Sequence, residues 1–460
     1  MLEQFQHIYK IPELRQKMLV TLGLIALCRV GVYIPIPGID TEVLKSYFQQ
    51  FAGTGVGQLL GLVDLFAGGA LASGAVFGLG VMPYISASII FQLLVGVVPA
   101  LERLHKEGEV GRKRINQYTR MTTVGLCFFQ AFVLTRTLYT IEISNVPVVP
   151  VYLQGISFQL TASLLLTTGT MFLMWIGEQI DEYGIGSGIS LVIMVGIVDR
   201  LPWAFSQVIS NFTFSVAPAE HQIGIFKLLL LIGSFLAIVA GIVYITQGQR
   251  RIPVQQAKHT RGHRVYGGQK HFLPLRVNQA GVMPIIFAQS LLIFPTAIIQ
   301  GLQVRFEPGS FGYWLTSRLT EALQGGIVYV SMYVFLIAFF CYFWTAIQFN
   351  PKEMSDNMKD YGSFIPGIRP GGRTAEYLEN VMSRITLAGA SFLAIIALLP
   401  MMISGGFEIS RAIAGFYGGT GLLIVVGVAL DLLQKIEAHL LMRHYSGLLG
   451  GTSRIRGRRG

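Results

Sequence analysis

The sequence contains little charge for its length. Only 13% of its 460 residues are charged, whereas about a quarter of the residues in soluble domains are. The mean hydropathy is +0.57. This combination excludes most soluble folds and predicts a membrane protein. The 3 cysteines lie in apolar stretches and form no Cys–x–x–Cys or Cys/His spacing, so we expect small buried side chains rather than disulfides or a metal site.

The apolar stretches also lack the residues that catalysis or ion coupling requires. They contain no Asp, Glu or His away from their ends, so neither an ion-coupled transporter nor an intramembrane protease is expected. Ser187 lies among glycines without nucleophile-elbow spacing or a partner base. We therefore expect no catalytic residue, no cofactor and no metal. Arg29 is the one charge deep in an apolar stretch, where a paired or snorkelling structural arginine is favoured over a substrate contact.

Ten apolar stretches predict an all-α polytopic membrane protein, because a helix needs about 20 mostly apolar residues to cross the bilayer. The fifth stretch is the weakest, since Asp199 and Arg200 interrupt it, and it either continues through Trp203 or crosses with little tilt. The predicted spans are Leu19–Ile36, Gly74–Val98, Thr119–Leu138, Phe158–Ile176, Gly184–Val198, Ile223–Thr246, Val277–Leu302, Gly326–Phe349, Ile385–Ile403 and Ile413–Leu430.

Basic residues orient this predicted bundle. Of the 35 Lys and Arg, 27 fall on the side that the two termini share with alternate loops. Positively charged loops stay in the cytoplasm, so both termini are expected there. Five spans precede residue 210 and five follow residue 222, and an odd number in each half predicts that the second half is inverted relative to the first. Coincidence is the alternative, because no internal sequence repeat is evident.

A glycine-rich segment follows the first span. Residues 53–80 contain nine glycines and a single charge, Asp64. Non-helical backbone at membrane depth is tolerated only where protein or a water-filled cavity surrounds it. The segment therefore predicts an enclosed cavity, in which it is either a gate or a re-entrant packing loop. A path lined by aliphatic groups would close to ions by dewetting and would not bind its cargo.

Eight short motifs occur in order along the chain. They are Tyr33–Gly38, Phe66–Ala70, Met82–Ile90, Glu107–Arg112, Gly186–Ser190, Gly248–Arg251, Gly281–Pro284 and Pro366–Gly371. Together they resemble the SecY family of bacterial protein-conducting channel subunits over essentially the whole length. The resemblance implies two inverted five-helix halves around an hourglass pore, with a short plug helix at about residues 57–72. It implies a cytoplasmic amphipathic N-terminus at 1–18, halves at 19–210 and 222–432, and a basic cytoplasmic tail at 433–460.

The same resemblance assigns three groups of side chains. An aliphatic ring seals the pore, although Val81 replaces the commoner isoleucine, and weakly polar residues mark a lateral gate between the second and seventh spans. For the gate residues, ordinary interhelical hydrogen bonding is the alternative. The ring comprises Val81, Ile85, Ile189, Ile193, Ile286 and Ile424; the gate comprises Gln92, Asn278 and Gln289; the plug includes Leu60, Asp64, Phe66, Gly68 and Gly69.

Two long basic loops, 247–276 and 350–378, are expected in the cytoplasm. Membrane topology alone explains their charge, but loops near 30 residues are more often functional. The resemblance assigns them to the ribosome and the SecA ATPase, through Arg250, Arg251 and Arg369. Basic side chains over ribosomal RNA phosphates would make docking salt-dependent.

The resemblance implies a passive conduit in the bacterial cytoplasmic (inner) membrane. Unfolded preproteins with signal peptides, and nascent chains, would cross it, and their apolar segments would leave sideways into the membrane lipids. SecE and SecG would be its partner subunits, and SecA or the ribosome would supply the energy, since no Walker A motif is present. Two other classes remain open from the residues alone: a secondary transporter for an amphipathic small solute, and a scaffold or receptor without a conduit.

Overall fold

A computed structural model gives the fold. It describes residues 12–50, 61, 64, 66–139, 141–143, 146–214, 224–256, 259–261, 264–266, 270–288, 291–292, 299, 306, 309–323, 326–407 and 420–449. Two of the sequence-predicted site residues, Leu60 and Gln289, lie outside the described residues. The described residues form two compact units: the first contains those within 12–50, 61–200 and 428–449, and the second contains those within 201–427.

The first unit is helical. Its helices are α1 (Pro12–Gly31), α2 (Thr41–Gln50), α3 (Met82–Val97), α4 (Pro99–Lys106), α5 (Glu109–Leu138), α6 (Ile156–Tyr183) and α7 (Gly188–Val198). A hairpin of β1 (Glu142–Ile143) and β2 (Val146–Pro147) and a short 3-10 turn, Val151–Leu153, join α5 to α6.

A sharp bend separates α3 from α4. The two helix axes meet at 98°. Val98 has an extended backbone, φ −95° and ψ 113°, because the ring of the following Pro99 disfavours helical geometry in the preceding residue. The bend turns the chain away from the apolar α3 before the charged Glu102 and Lys106.

Small side chains let α5 and α6 pack closely. Cys127 and Ala131 of α5 are completely buried beside Ala162 and Leu166 of α6. Hydroxyls in this pair of helices mostly bond back to the carbonyl four residues earlier, as Thr123 does to Thr119 at 2.7 Å, so no partner from another helix is needed.

The second unit is also mainly helical. Its helices are α8 (Leu201–Ser210), α9 (Ile225–Gln247), α10 (Phe311–Leu323), α11 (Ile327–Gln348), α12 (Pro351–Asp360), α13 (Gly372–Phe407) and the start of α14 (Thr420–Leu449). Residues 283–288 and 291–292 are helical as well. Its core joins Ile242, Ile285, Tyr333, Ile337 and Leu393, all nearly or completely buried.

A small sheet lies between the helices of the second unit. Its strands β3 (Gln249–Gln256), β6 (Lys270–Arg276) and β7 (Ser363–Phe364) are antiparallel in the order β6-β3-β7. A further pair, β4 (His259–Arg261) and β5 (Arg264–Tyr266), extends the loop. The sheet joins the two basic loops into one structure, because β7 comes from the second loop. Ile252 of β3 and Leu275 of β6 anchor it on Leu378 of α13.

Several predicted spans differ from the helices observed. Within the described residues, five helices are long and apolar enough to cross a membrane, namely α5, α6, α9, α13 and the stretch from α11 into α12; the bent pair α3 and α4 would make a sixth. The second predicted span is helical only from Met82, because residues 76–81 form turns. The fifth predicted span is helical over the 11 residues of α7, and α8, which contains Trp203, is a separate helix after Asp199 and Arg200.

The packing of α6 on α7 yields a test. A β-carbon at Gly188 would overlap the carbonyl oxygen of Gly177, whereas one at Gly125 would meet nothing within 4 Å. We expect Gly188→Ala to lower the thermal stability of the purified protein, because overpacking costs about 1–3 kcal/mol. Gly125→Ala should leave the stability unchanged or raise it, since alanine favours helix by about 1 kcal/mol. Melting curves followed by size-exclusion chromatography compare the two, and equal melting temperatures would contradict the packing.

Candidate functional site

The described part of the glycine-rich segment contains helical residues followed by a glycine cap. Residues 61, 64 and 66 are helical, and residues 67–74 form turns. Gly68 adopts a left-handed φ of +64°, and the N–H of Gly69 donates to the carbonyl of Asp64 at 2.9 Å. This bond across a left-handed glycine ends a helix in the Schellman manner. The predicted plug helix therefore stops near Ala67 instead of reaching residue 72, because the two glycines favour the cap.

The non-helical backbone after this cap has partners within the first unit. The N–H of Ala75 donates to Ala70 at 2.8 Å, the N–H of Val76 donates to Ile34 at 3.0 Å, and Gly74 accepts from Ile36 at 2.8 Å. These bonds satisfy groups that would otherwise cost several kcal/mol each in lipid. Protein groups therefore surround this backbone, which is one of the two environments that the sequence argument allowed.

The segment packs tightly against α7 and α1. A β-carbon at Gly68 would stand 2.7 Å from the Cα of Gly196 in α7, so glycine at both positions lets the two backbones meet. Phe66 is buried at 4% exposure. A cavity of only ≈ 20 Å³ remains beside it, with Cys28, Val81 and Val192 in its lining.

A buried ion pair connects the segment to the residue after α7. Asp64 is 3% exposed, and its Oδ2 accepts from Arg200 Nη2. The same Arg200 nitrogen also donates to the Asp64 carbonyl at 3.2 Å, while Asp64 Oδ1 accepts from the N–H of Ala72 at 2.9 Å. Removing one partner of a buried pair leaves an uncompensated charge, which costs about 3–5 kcal/mol.

A second ion pair lies next to the first. Arg29, in the last turn of α1, pairs with Asp199 and donates to the Gly68 carbonyl at 3.4 Å. The arginine is 21% exposed and the aspartate 46%, so solvent screens this pair more than the first. The structural interpretation of Arg29 as a paired arginine is confirmed.

The ring candidates of the first unit occupy the starts of α3 and α7. Val81 is the N-cap residue of α3, and its carbonyl accepts from the N–H of Ile85 at 3.0 Å. Both side chains are buried, as is Ile193. Ile189 is half-buried, and its Cγ1 lies 2.8 Å from where a β-carbon of Gly177 would stand. Ile189 therefore packs partly on α6.

The ring candidates of the second unit follow core residues directly. Ile286 comes after Ile285, and Ile424 after Leu423; both are buried. Ile285 and Leu423 belong to the unit's main core. Successive helical residues point about 100° apart, so Ile286 and Ile424 project from another side of their helices.

The gate candidates are placed differently from one another. Gln92 is exposed on α3. Asn278 is half-buried but lies in non-helical backbone before the helical residues 283–288, so the seventh predicted span starts its helix later than Val277. The Val277 N–H bonds the Gly248 carbonyl at 2.9 Å, which holds this stretch to the sheet.

The basic candidates are exposed on rigid supports. Arg250 and Arg251 lie on β3, next to the buried Ile252. Arg369 is exposed on a turn whose shape is fixed by Thr374 Oγ1, which donates to the Arg369 carbonyl at 3.0 Å. Ser355 Oγ adds a bond to the Gly371 carbonyl at 2.8 Å.

Sequence reasoning allowed for a paired Arg29 but missed its partner Asp199, and it missed the Asp64–Arg200 pair. One signal for these ion pairs was present in the sequence: Asp199 and Arg200 follow an apolar stretch directly. We interpreted them only as an interruption of that stretch. A second signal was the lone Asp64 in an otherwise uncharged segment. Among the described residues, no group of three or more His, Cys, Asp or Glu could hold a metal ion.

The chain is similar in sequence to bacterial translocase subunits. Residues 75–433 match the family model described as SecY. The chain is 43% identical to a protein translocase subunit SecY of Chlamydia muridarum over 99% of both chains. It is 42% identical to that of Escherichia coli, over 95% of this chain and 94% of the relative.

Solved structures share the fold. One described as "The structure of a protein conducting channel" matches with a TM-score of 0.57 and 18% identity, over 96% of this chain and 95% of the other. Sec61 in a canine ribosome-channel complex matches with a TM-score of 0.52 and 18% identity over the same shares. This likeness confirms the predicted all-α channel fold.

Proposed function

Because the chain belongs to the SecY family, we propose that it is the protein-conducting channel subunit through which unfolded preproteins cross the bacterial cytoplasmic membrane. Apolar segments leave it sideways into the lipid. The observation that carries this proposal is the buried non-helical segment between α1 and α3, whose glycine cap and turns rest on α7. A re-entrant packing loop would also be irregular, but a plug that moves aside gains from irregular backbone, because such backbone can be displaced without unwinding a membrane helix.

The pore seal in this proposal is a ring of six aliphatic side chains. Val81, Ile85, Ile189 and Ile193 come from the first unit, and Ile286 and Ile424 come from the second. The burial of all but the half-buried Ile189 supports the assignment, and Ile85, Ile193, Ile286 and Ile424 are the best supported because each is buried on a helix. Aliphatic groups exclude ions by dewetting and offer a passing peptide nothing to bind. The lateral gate runs along α3, with Gln92 and Asn278 as its polar positions.

The conduit carries out no chemistry and depends on partners for energy. SecA or a ribosome docks on the sheet and on the turn that carries Arg369, and both termini lie in the cytoplasm. Exposed arginines on a sheet and on a hydrogen-bonded turn favour such docking. The backbone that carries them is already ordered, so binding loses little conformational entropy there. SecE and SecG complete the complex, and signal peptides, nascent chains and membrane lipids are its other ligands.

The ring assignment is tested by Ile424→Asn. The polar side chain of asparagine would let water enter the aliphatic seal and so destabilise the closed state. We expect export of a reporter with a defective signal peptide to rise about tenfold, which corresponds to a loss of about 1.4 kcal/mol in the stability of the closed state. Ile395→Asn is the matched control, since Ile395 is an exposed isoleucine of α13 in the same unit. Unchanged export in Ile424→Asn, or an equal rise in the control, would refute the ring position.

The docking surface is tested by Arg369→Glu. We expect SecA-dependent export of an intact preprotein to fall at least tenfold, since charge reversal turns attraction into repulsion. Membrane insertion and melting temperature should stay unchanged, because the Arg369 side chain is exposed. Lys359→Glu, at the end of α12, controls for net charge. If both variants export normally, Arg369 has no docking role.

A further inference from the structure

We propose that the ion pairs Arg200–Asp64 and Arg29–Asp199 form a lock that holds the end of the plug against its own unit and sets how strong a signal peptide must be to open the channel. We call these four residues the plug lock. The inference rests on the proposed function, because it requires that the plug moves aside during translocation.

The contacts of the plug lock join three elements at one point. Arg200 holds the plug by both the carboxylate and the carbonyl of Asp64. Arg29 of α1 holds the carbonyl of Gly68. Asp199 and Arg200 are adjacent in the chain after α7, so the residue that holds Arg29 and the residue that holds the plug move together. Displacing the plug therefore breaks bonds from both arginines.

The surroundings make these bonds costly to break. Asp64 is almost completely buried, and Phe66, Cys28 and Val192 line the apolar space beside the plug. A buried charge that loses its ion-pair partner here has too little water around it to replace the lost interaction. Opening must therefore separate Asp64 from Arg200 and give both charges new partners or water, which an entering peptide and its hydration can supply.

Ion pairs with a purely structural role would make the same contacts. What favours a role in opening is where these contacts lie, which is at the glycine cap of the plug. The lock acts at Asp64, Gly68 and Gly69, where the helical part of the plug ends and the turns begin. Gly68 leaves no space for a side chain against Arg29 Nη1, which lies 2.7 Å from the β-carbon position. The arginines thus contact backbone that must move, and they fix the starting point of that movement.

The experiment compares Asp64→Asn and Arg200→Gln with wild type in inverted membrane vesicles of the assembled translocase. Asparagine can still accept from the Ala72 N–H, so Asp64→Asn removes mainly the charge. We expect each variant to raise the export of a reporter with a defective signal peptide by about tenfold, and to raise resting ion leak. The double exchange Asp64→Arg with Arg200→Asp should restore part of the stringency. Glu102→Gln, which breaks the exposed Glu102–Lys106 pair, should change nothing.

The outcomes separate the lock from the proposed function. If wild type fails to export an intact preprotein with SecA and ATP, the proposed function is wrong. If wild type exports it, and both single variants keep normal stringency and leak at normal abundance, the lock alone is refuted. Should Asp64→Asn not accumulate, Asp199→Asn decides, because it breaks the more exposed pair; unchanged stringency in that variant would overturn the proposal.

Discussion

Backbone polar groups without water must find partners inside the protein, and this constraint shapes the first unit around residues 67–81. Positive φ angles at Gly68, Gly69, Gly74 and Gly80 interrupt helical geometry here, and the backbone instead bonds within the segment and to the chain after α1. Glycines on α7 and in the plug bring the two backbones close enough to exclude lipid. The segment can then be irregular and still lie among apolar helices. The proposed gating depends on this, because only irregular backbone can be displaced without unwinding a span.

Four charged residues of the first unit form two adjacent ion pairs. Arg29, Asp64, Asp199 and Arg200 satisfy one another, and in the proposed channel the path itself carries aliphatic side chains only. This separation suits a conduit for polypeptides of any sequence. A charged path would retain cargo of the opposite sign, whereas charges placed behind the plug resist opening without touching the cargo once it passes.

For five of the ten predicted spans, the described residues form helices long and apolar enough to cross a membrane, but hydropathy did not predict where these helices end. α5 begins ten residues before the predicted Thr119, and α13 begins before Ile385. The added turns contain many polar residues, so a helix can continue through them although hydropathy shows no apolar stretch there. The helix α12 was missed, since its composition is that of a loop; Asn350 caps it by accepting from the N–H of Glu353. The ion pairs of the site could not be predicted, because their partners are up to 170 residues apart.

The central claim is that a threaded polypeptide passes the aliphatic side chains of the first unit. A photo-crosslinking residue at Ile193, tested with a ribosome-stalled secretory chain, addresses it most directly. Leu236, an exposed residue of α9, is the lipid-facing comparison. The account predicts strong crosslinks from Ile193 to the part of the chain in transit, and none from Leu236 to that part. Crosslinks at Leu236 alone, or none at Ile193 while the chain is demonstrably in transit, would contradict it.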